Sequence, residues 1–235
     1  MPKVWAIIPA RGGSKRIPGK NLQRIGRKTL IEIAVEQARA ARLVDVIAVS
    51  SEDEEILAHA EKLGVRAIRR PAALARDETP GMAPVLHAIH ALKMREEEEL
   101  VLLQPTSPFR AAEDIDGAIL RRRETGAPAC VSVAPVQDHP GWMYRLDEAG
   151  RLMAFTDGEL HSRSQDLPAL YVLNGAVYVA QIRHLQRHET FLAPRTVAHV
   201  MPRERSLDID TPFDLQMARA LASWRENRKD QENRE

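Results

Sequence analysis

The feature that most constrains the fold is a regular alternation of short apolar runs with amphipathic segments of helical period. Residues 4–8 form the first apolar run, and a proline ends it. Behind Thr29, apolar residues recur every three or four positions, which indicates a helix with Thr29 as its N-cap. Further strands are expected at residues 44–49, 65–68, 100–103 and 129–133. This alternation favours right-handed βαβ crossovers, so we predict an α/β fold with a mostly parallel sheet and helices on both faces.

The alternation breaks after residue 134. Residues 135–170 are rich in Pro, Gly, His and Asp, and we predict a small subdomain inserted there into a single domain spanning residues 1–225. Beyond the insertion, an apolar strand pattern is interrupted by Asn174 and Gly175, which are typical of a bulge or tight turn. A final helix is expected over residues 212–224, and the charged tail at 226–235 is expected to fray.

Charge and cysteine content exclude several classes of protein. Lys and Arg total 34 against 33 Asp and Glu, so a net charge of +1 gives no general case for a nucleic-acid or membrane-surface partner. The single Cys130 excludes an intramolecular disulfide framework and a zinc site built on several cysteines. No apolar run approaches the roughly 20 residues that span a bilayer. We therefore expect a cytoplasmic, enzyme-sized protein that binds neither nucleic acid nor membrane.

The segment that follows the first strand, residues 9–21, combines adjacent glycines with basic side chains. Gly12 and Gly13 let backbone N–H groups approach an anion closely, at the strand end where open α/β sheets place their ligands. The cationic side chains of the segment are Arg11, Lys15, Arg16 and Lys20. Several cations around a glycine-rich turn suit a nucleoside triphosphate, and the alternative is a mobile basic surface loop.

Two well-known phosphate loops do not fit this turn. The Walker A pattern needs four residues between its first glycine and Gly-Lys-Ser/Thr, whereas five separate Gly13 from Gly19 and Asn21 follows the lysine. The dinucleotide fingerprint Gly-x-Gly-x-x-Gly is also absent from the sequence. A P-loop ATPase and a dinucleotide-dependent oxidoreductase are therefore disfavoured.

Asp208 and Asp210 form the most suggestive carboxylate pair. On an extended segment, residues two apart point to the same face, so both carboxylates can share one ligand. Hard oxygen ligands without nearby Cys or His suit Mg²⁺, with Mn²⁺ as an alternative. The competing interpretation is a helix start, with Asp210 or Thr211 capping a helix that begins at Pro212.

Five motif groups occur in an order that resembles one enzyme family. They are Ile-Ile-Pro-Ala-Arg-Gly-Gly-Ser-Lys at 7–15, Ser-Ser-Glu-Asp at 50–53 with Arg-Arg-Pro at 69–71, the segment 103–110, Leu-Asn-Gly-Ala-Val-Tyr at 173–178, and Ser-Leu-Asp-Ile-Asp-Thr-Pro at 206–212. Together they are similar to the sialic acid cytidylyltransferases, also called CMP-N-acylneuraminate synthetases, over residues 3–222. The resemblance implies a Rossmann-like domain of the nucleotide-diphospho-sugar transferase type, and a homodimer in which residues 135–170 are the dimerisation element. It also implies that CTP and a nine-carbon 2-keto sugar acid are the substrates.

The resemblance assigns roles residue by residue. Catalysis would depend on Arg11 and Lys20 at the phosphates and on Asp208 and Asp210 as metal ligands. The nucleotide would contact Arg11, Gly12, Gly13, Ser14, Lys20, Asn21, Arg70, Asp77, Thr79 and Gly81. The sugar acid would contact Gln104, Arg163, Asn174 and Tyr178. A family segment that usually reads Asp-Thr-Ala-Ser-Ser is Asp-Glu-Thr-Pro-Gly at 77–81 here, so in the contacts to cytosine backbone groups would have to serve in place of the family's hydroxyls.

Structural roles compete with several of these assignments. Without the resemblance, the loop that carries Gln104 is an ordinary strand-to-helix turn and Arg70 belongs to a solvated basic edge. Asn174 is then a turn residue and Tyr178 a core aromatic.

Two other functions remain open at this stage. One is cytidylyl transfer to the eight-carbon sugar acid Kdo, whose enzymes are similar at the first turn but have a central motif that this sequence lacks. The other is a non-catalytic nucleotide-binding protein on the same fold. Among nine-carbon acids, the sequence leaves N-acetylneuraminic, legionaminic and pseudaminic acid as alternatives, and it names no general base.

Overall fold

The computed structural model describes residues 2–155 and 167–232. In chain order its strands are β1 (Val4–Pro9), β2 (Arg24–Ile25), β3 (Lys28–Thr29), β4 (Val46–Ser51), β5 (Arg66–Arg69), β6 (Glu99–Leu102), β7 (Ala129–Pro135), β8 (Tyr144–Leu146), β9 (Leu152–Ala154), β10 (Tyr171–Gln181) and β11 (Val197–Val200). The α-helices are α1 (Leu30–Ala40), α2 (Glu54–Lys62), α3 (Ala83–Ala91), α4 (Ala112–Thr125), α5 (Ile182–His188) and α6 (Pro212–Glu232).

Within these ranges the central sheet has seven strands in the order β11-β7-β10-β6-β1-β4-β5. Neighbouring strands are parallel except at β10, which runs antiparallel to both β6 and β7. The predicted α/β fold with a mostly parallel sheet is confirmed.

Helices cover both faces of the sheet because its buried strands alternate their side chains. Along β1, Val4, Ala6 and Ile8 join one core cluster with apolar residues of α1, α2 and α4. Trp5 and Ile7 point the other way, into a second cluster with α3 and α5. Thr29 caps α1 as predicted, because its hydroxyl accepts from the Glu32 amide while the Glu32 carboxylate accepts from the Thr29 amide.

A third apolar cluster holds the glycine-rich turn against the segment that contains the two aspartates. Its buried members are Ile17, Ile25, Leu30, Ile209, Leu215 and Ala218. Ile17 belongs to the turn, and Ile209 lies between Asp208 and Asp210. The backbone amide of Ile209 also donates to the carbonyl of Thr106, at 2.9 Å. Packing therefore brings together three segments that are far apart in the chain.

The described part of the insertion contains the antiparallel hairpin β8–β9, which pairs outside the central sheet. In β10 the register with β7 shifts between Leu173 and Tyr178, and Gly175 has a φ of +71°. The register shift confirms the bulge predicted at Asn174 and Gly175. Glycine suits this position because its left-handed backbone conformation is unfavourable for other residues.

The last helix is longer than predicted. It continues to Glu232, since residues 225–232 contain neither Gly nor Pro and are mostly strong helix formers. Among the described residues, no helix has the length and apolarity needed to cross a membrane.

Candidate active site

A cavity of about 470 Å³ opens at the carboxyl ends of the parallel strands. It collects predicted residues from four separate segments: Arg11, Lys20, Asn21, Arg70, Asp77, Thr79, Gly81, Gln104, Asp208 and Asp210. A neighbouring cavity of about 390 Å³ shares Arg11, Lys20, Asp77 and Asp210, and adds Ser14, Lys15 and Arg16. The structure therefore brings the basic turn and the carboxylate pair to one place.

Asp77 lies between the cations of the turn. Its carboxylate contacts Arg11 Nη1 and Lys15 Nζ, each at 2.7 Å. Hydrogen bonds from Lys15 and then Arg11 hold the pKa of Asp77 below its usual value. A carboxylate thus occupies the position beside these cations that an anionic ligand would take. The resemblance implies that Asp77 lines the pocket of the nucleotide base, whereas in this structure its partners are the cations expected to bind phosphate.

Gly12 has a structural reason to be glycine. A Cβ atom at this position would lie 2.3 Å from Oδ2 of Asp53, whose other oxygen caps α2 through the amides of Glu55 and Ile56. The Gly12 amide, expected to face a phosphate, donates instead to Glu52 Oε1 at 2.8 Å. Neither Gly12 nor Gly13 is among the cavity-lining residues, and a Cβ added at Gly13 would meet open space.

Glu52 connects the turn to Arg70, a role that was not predicted from the sequence. Its Oε2 accepts from Nε and Nη2 of the buried Arg70, at 3.1 and 2.8 Å. Burial raises the pKa of Glu52, but its hydrogen bonds, including those from Gly12 and Arg70, outweigh burial and lower it. Its sequence signal was its place in the Ser-Ser-Glu-Asp motif at 50–53, to which no individual role was assigned.

Asn21 and Thr79 line the cavity but also bond within the protein. The Asn21 amide donates to the Arg11 carbonyl at 2.9 Å, which holds the two ends of the turn together. The Thr79 hydroxyl donates to the Ala73 carbonyl at 3.0 Å. In this structure both side chains shape the walls of the cavity.

Asp208 and Asp210 differ in their surroundings. Burial raises the pKa of Asp208, and the negative charge of the neighbouring Asp210 raises it further. A hydrogen bond from Thr106 lowers the pKa but does not cancel these effects. Within the described chain, Oδ1 of Asp208 is buried and has no hydrogen-bond partner. Asp210 is 61% exposed and lies 3.3 Å from Lys20 Nζ, which also donates to the Ile209 carbonyl at 2.8 Å.

The start of α6 involves Thr211 rather than the Asp210 carboxylate. The Thr211 hydroxyl accepts from the Asp214 amide at 3.3 Å, and Asp214 Oδ2 accepts from the Thr211 and Asp210 amides at 2.7 and 3.0 Å. Thr211 and Asp214 therefore form a reciprocal cap. The Asp210 carboxylate remains available to a ligand.

Arg110 supports the loop that carries Gln104, and sequence reasoning missed its role. Its guanidinium donates to Gln37 Oε1 at 3.0 Å, to the Gln104 carbonyl at 3.1 Å and to the Ala176 carbonyl at 2.6 Å. Gln104 faces the bulge of β10, where a Cβ at Gly175 would lie 3.0 Å from its Oε1. Arg110 thus ties α1, the Gln104 loop and the bulge together.

Two of the predicted sugar contacts, Asn174 and Tyr178, do not line this cavity. The Asn174 amide is buried, accepting from Ser132 Oγ at 2.6 Å and donating to Ser206 Oγ at 2.9 Å. Tyr178 packs on Phe191, with ring centroids 5.5 Å apart, and burial raises its pKa. Neither residue lines the cavity, and Arg163 lies outside the described residues.

At this edge of the sheet, cations that can bind several phosphates lie next to carboxylates that can bind a divalent metal. This combination suits reactions at phosphorus. The class of protein defined by this fold and site is the nucleotidyltransferases. The chain belongs, within that class, to the cytidylyltransferase family, whose model matches residues 5–234.

Two relatives show how far the similarity extends. The chain is 31% identical to the CMP-N,N'-diacetyllegionaminic acid synthase of Legionella pneumophila, over 93% of this chain and 96% of that protein. It is 29% identical to the N-acylneuraminate cytidylyltransferase of Escherichia coli, over 97% of this chain. The match covers 54% of the Escherichia coli protein, so the chain spans about half of that relative's length.

A solved structure supports the fold independently. The structure of CMP:2-keto-3-deoxy-manno-octonic acid synthetase complexed with CTP superposes with a TM-score of 0.73, covering 95% of this chain and 99% of that one. At 18% identity, this likeness shows that the two chains share a fold.

Proposed function

We propose that the protein transfers CMP from CTP to the anomeric hydroxyl of a nine-carbon 2-keto sugar acid and releases pyrophosphate. The observation that carries this proposal is the convergence of Arg11, Lys20, Asp208 and Asp210 on one cavity at the strand ends. Two relatives whose names specify CMP-legionaminate and N-acylneuraminate chemistry support an acceptor of this class. CTP is a cytoplasmic nucleotide, and we propose the same compartment for the reaction.

The side chains of the basic turn would bind and orient the triphosphate. Lys20 is held by the Ile209 carbonyl next to the carboxylates, and Arg11 reaches the same cavity from the other side of the turn. Their charges stabilise the negative charge that accumulates on the leaving pyrophosphate. The sugar hydroxyl then attacks the α-phosphorus as the bond to pyrophosphate breaks, so positioning and electrostatics supply most of the catalysis.

Asp208 and Asp210 fit a divalent cation. The unpartnered buried Oδ1 of Asp208 and the exposed carboxylate of Asp210 offer hard oxygen ligands, which suit Mg²⁺ and also admit Mn²⁺. Among the described residues no three His, Cys, Asp or Glu side chains form a metal-binding group. Phosphate oxygens and water would therefore complete the coordination. When bound, the ion would neutralise charge on the phosphate oxygens.

The acceptor would bind on the Gln104 side of the cavity. Gln104 presents an amide there, on a loop that Arg110 and two prolines hold in place. Arg163 is our proposed partner for the sugar carboxylate, because a guanidinium binds a carboxylate through two parallel hydrogen bonds. Asn174 and Tyr178 do not line the cavity, and we propose that they act from behind it: the Asn174 amide holds the β10 bulge that Gln104 faces, and Tyr178 packs on Phe191.

The proposal is tested by pyrophosphate release from CTP and Mg²⁺ with N-acetylneuraminic, legionaminic, pseudaminic and Kdo acids, each with and without EDTA. We expect EDTA-sensitive release with one of the nine-carbon acids, which also names the substrate. Release with Kdo alone would establish the eight-carbon alternative. Binding of CTP with no release from any acid would indicate a non-catalytic nucleotide-binding protein.

Replacing Asp77 with asparagine is expected to strengthen binding of inorganic pyrophosphate. The substitution removes a carboxylate that competes for Arg11 and Lys15 in the ligand-free protein. Because such exposed ion pairs are weak, we expect the Kd of pyrophosphate to fall roughly 2- to 5-fold, measured by calorimetry. Glu78→Gln removes the same charge from the adjacent exposed position and serves as the control. Equal affinities in the two variants would show that Asp77 does not compete with the anion.

We propose that the protein is a homodimer that associates through the inserted segment. Tyr144, Leu146, Leu152 and Met153 of the β8–β9 hairpin are all exposed, as is Tyr171 at the start of β10. Such a group of exposed apolar side chains is typical of an interaction surface. Sedimentation equilibrium is expected to give about twice the chain mass, and a monomer mass at micromolar concentration would contradict the proposal.

A further inference from the structure

A second large cavity, of about 660 Å³, lies at the opposite end of the sheet from the candidate active site. Pro128 precedes β7 and Glu96 precedes β6, so the cavity is at the amino ends of these parallel strands. The antiparallel β10 ends there at Gln181, and α5 forms one wall. Nothing in the proposed reaction uses this cavity.

The cavity is strongly basic. Arg183 and Arg187 of α5 line it together with Arg195, and Glu96 is the one carboxylate among its described lining residues. Within the described chain, none of these three guanidinium groups has a carboxylate oxygen within 4.0 Å. The described hydrogen bond of the Arg183 side chain goes to the neutral Gln181, at 3.0 Å. Three guanidinium groups without acidic partners favour an anion with several oxygens.

A buried polar atom in the same wall lacks a partner. His184 is only 8% exposed, and its Nε2 makes no hydrogen bond within the described chain. Its ring packs on His188, with centroids 4.8 Å apart, and burial lowers its pKa. A buried polar atom left without a hydrogen bond is unfavourable, so such an atom calls for a partner from outside the chain.

We propose that this cavity binds a phosphate ester, with Arg183, Arg187 and Arg195 holding the phosphate and His184 facing a polar group of the ligand. The cavity volume lies in the range of small-molecule sites and exceeds what a free phosphate ion would fill. Nucleotides and sugar phosphates share this chemistry. The site is separate from the catalytic cavity and does not depend on the proposed reaction.

The test uses calorimetry on a Lys20→Met protein, which weakens phosphate binding at the catalytic cavity. The probes are inorganic phosphate, CMP and glucose 6-phosphate. They are titrated into this protein with and without Arg187→Ser and Arg195→Ser. Arg27→Ser with Arg42→Ser removes two exposed arginines that do not line the cavity and is the matched control. All these arginines are exposed, and melting temperatures verify that each variant folds.

We expect at least one ester to bind, and the cavity variant to lose roughly tenfold or more in affinity while the control retains it. Tighter binding of CMP supports a nucleotide ligand, and tighter binding of glucose 6-phosphate supports a sugar phosphate. Ester binding that is equal in the cavity variant and the control would overturn the proposal. So would the absence of ester binding at about 10 mM.

Discussion

Asp210→Asn is expected to lower kcat for pyrophosphate release by about a thousandfold or more, because a neutral amide holds a divalent cation far less well than a carboxylate. The substitution keeps the shape of the side chain. Asp210 is 61% exposed and its side-chain contact in the structure is Lys20 at 3.3 Å, so we expect the melting temperature to change little. Steady-state kinetics with saturating CTP and Mg²⁺, together with thermal denaturation, measure both effects.

Asp214→Asn is the matched control for this experiment. Asp214 lies four residues further on and caps α6 through the amides of Asp210 and Thr211. Its substitution is expected to lower stability, by about 1 kcal/mol as for other helix caps, while much of the activity is retained. An Asp210→Asn enzyme with near wild-type kcat would remove Asp210 from the metal site.

The buried position of Asp208 is unfavourable for the stability of the metal-free protein but suits a metal ligand. Because burial raises the pKa of Asp208, its charged form is unfavourable in the metal-free protein at neutral pH. The contribution of Asp208 to the free energy of unfolding should therefore increase as the pH falls through its raised pKa, where the carboxyl becomes neutral, and Asp208→Asn should remove this pH dependence in a comparison of thermal denaturation curves. A carboxylate kept in an unfavourable place is consistent with a ligand role, since a cation would offset the cost of burial.

The fold was predictable because its signals are local. The alternation of Val4, Ala6 and Ile8 with Trp5 and Ile7 is a two-residue period that the sequence displays directly, and the two sets face different cores. The role of Thr29 could also be inferred, since a capping residue and its helix are adjacent in the chain. The predicted length of α6 was wrong. The charged composition of residues 226–235 indicated fraying, although most of the residues up to 232 are good helix formers.

Contacts between distant segments could not be inferred in the same way. The Arg11–Asp77 ion pair and the bond from Gly12 to Glu52 depend on how the loops after β1, β4 and β5 meet. The periodicity of apolar residues within one segment does not show which loops lie next to each other. Residue types alone also could not show that the Asn174 amide bonds inside the protein to Ser132 and Ser206. The resemblance named the segments of the site, whereas the structure was needed to show how their side chains pair.

Arg110 shows the same limit most clearly, because two of its three partners, Gln37 and Ala176, lie more than 60 residues away in the chain. It is 2% exposed, and its guanidinium reaches the Gln37 side chain and the carbonyls of Gln104 and Ala176. Burial lowers the pKa of Arg110 to about 9, so the side chain still carries its charge at neutral pH. A buried charge with three acceptors both stabilises the fold and fixes the path of the Gln104 loop.

Arg110→Met is therefore expected to reduce the free energy of unfolding by about 3 kcal/mol, because methionine leaves buried carbonyl oxygens without donors. For a chain of this size, the melting temperature should fall by roughly 6–12 °C. Because the Gln104 loop loses its anchor, the KM of the sugar acid should increase more than the KM of CTP. Arg121→Met, at an exposed position of α4, is the control and should change none of these quantities. If Arg110→Met lowered stability and left the sugar KM unchanged, Arg110 would support the fold without positioning Gln104, because a loop held by other contacts would keep its geometry.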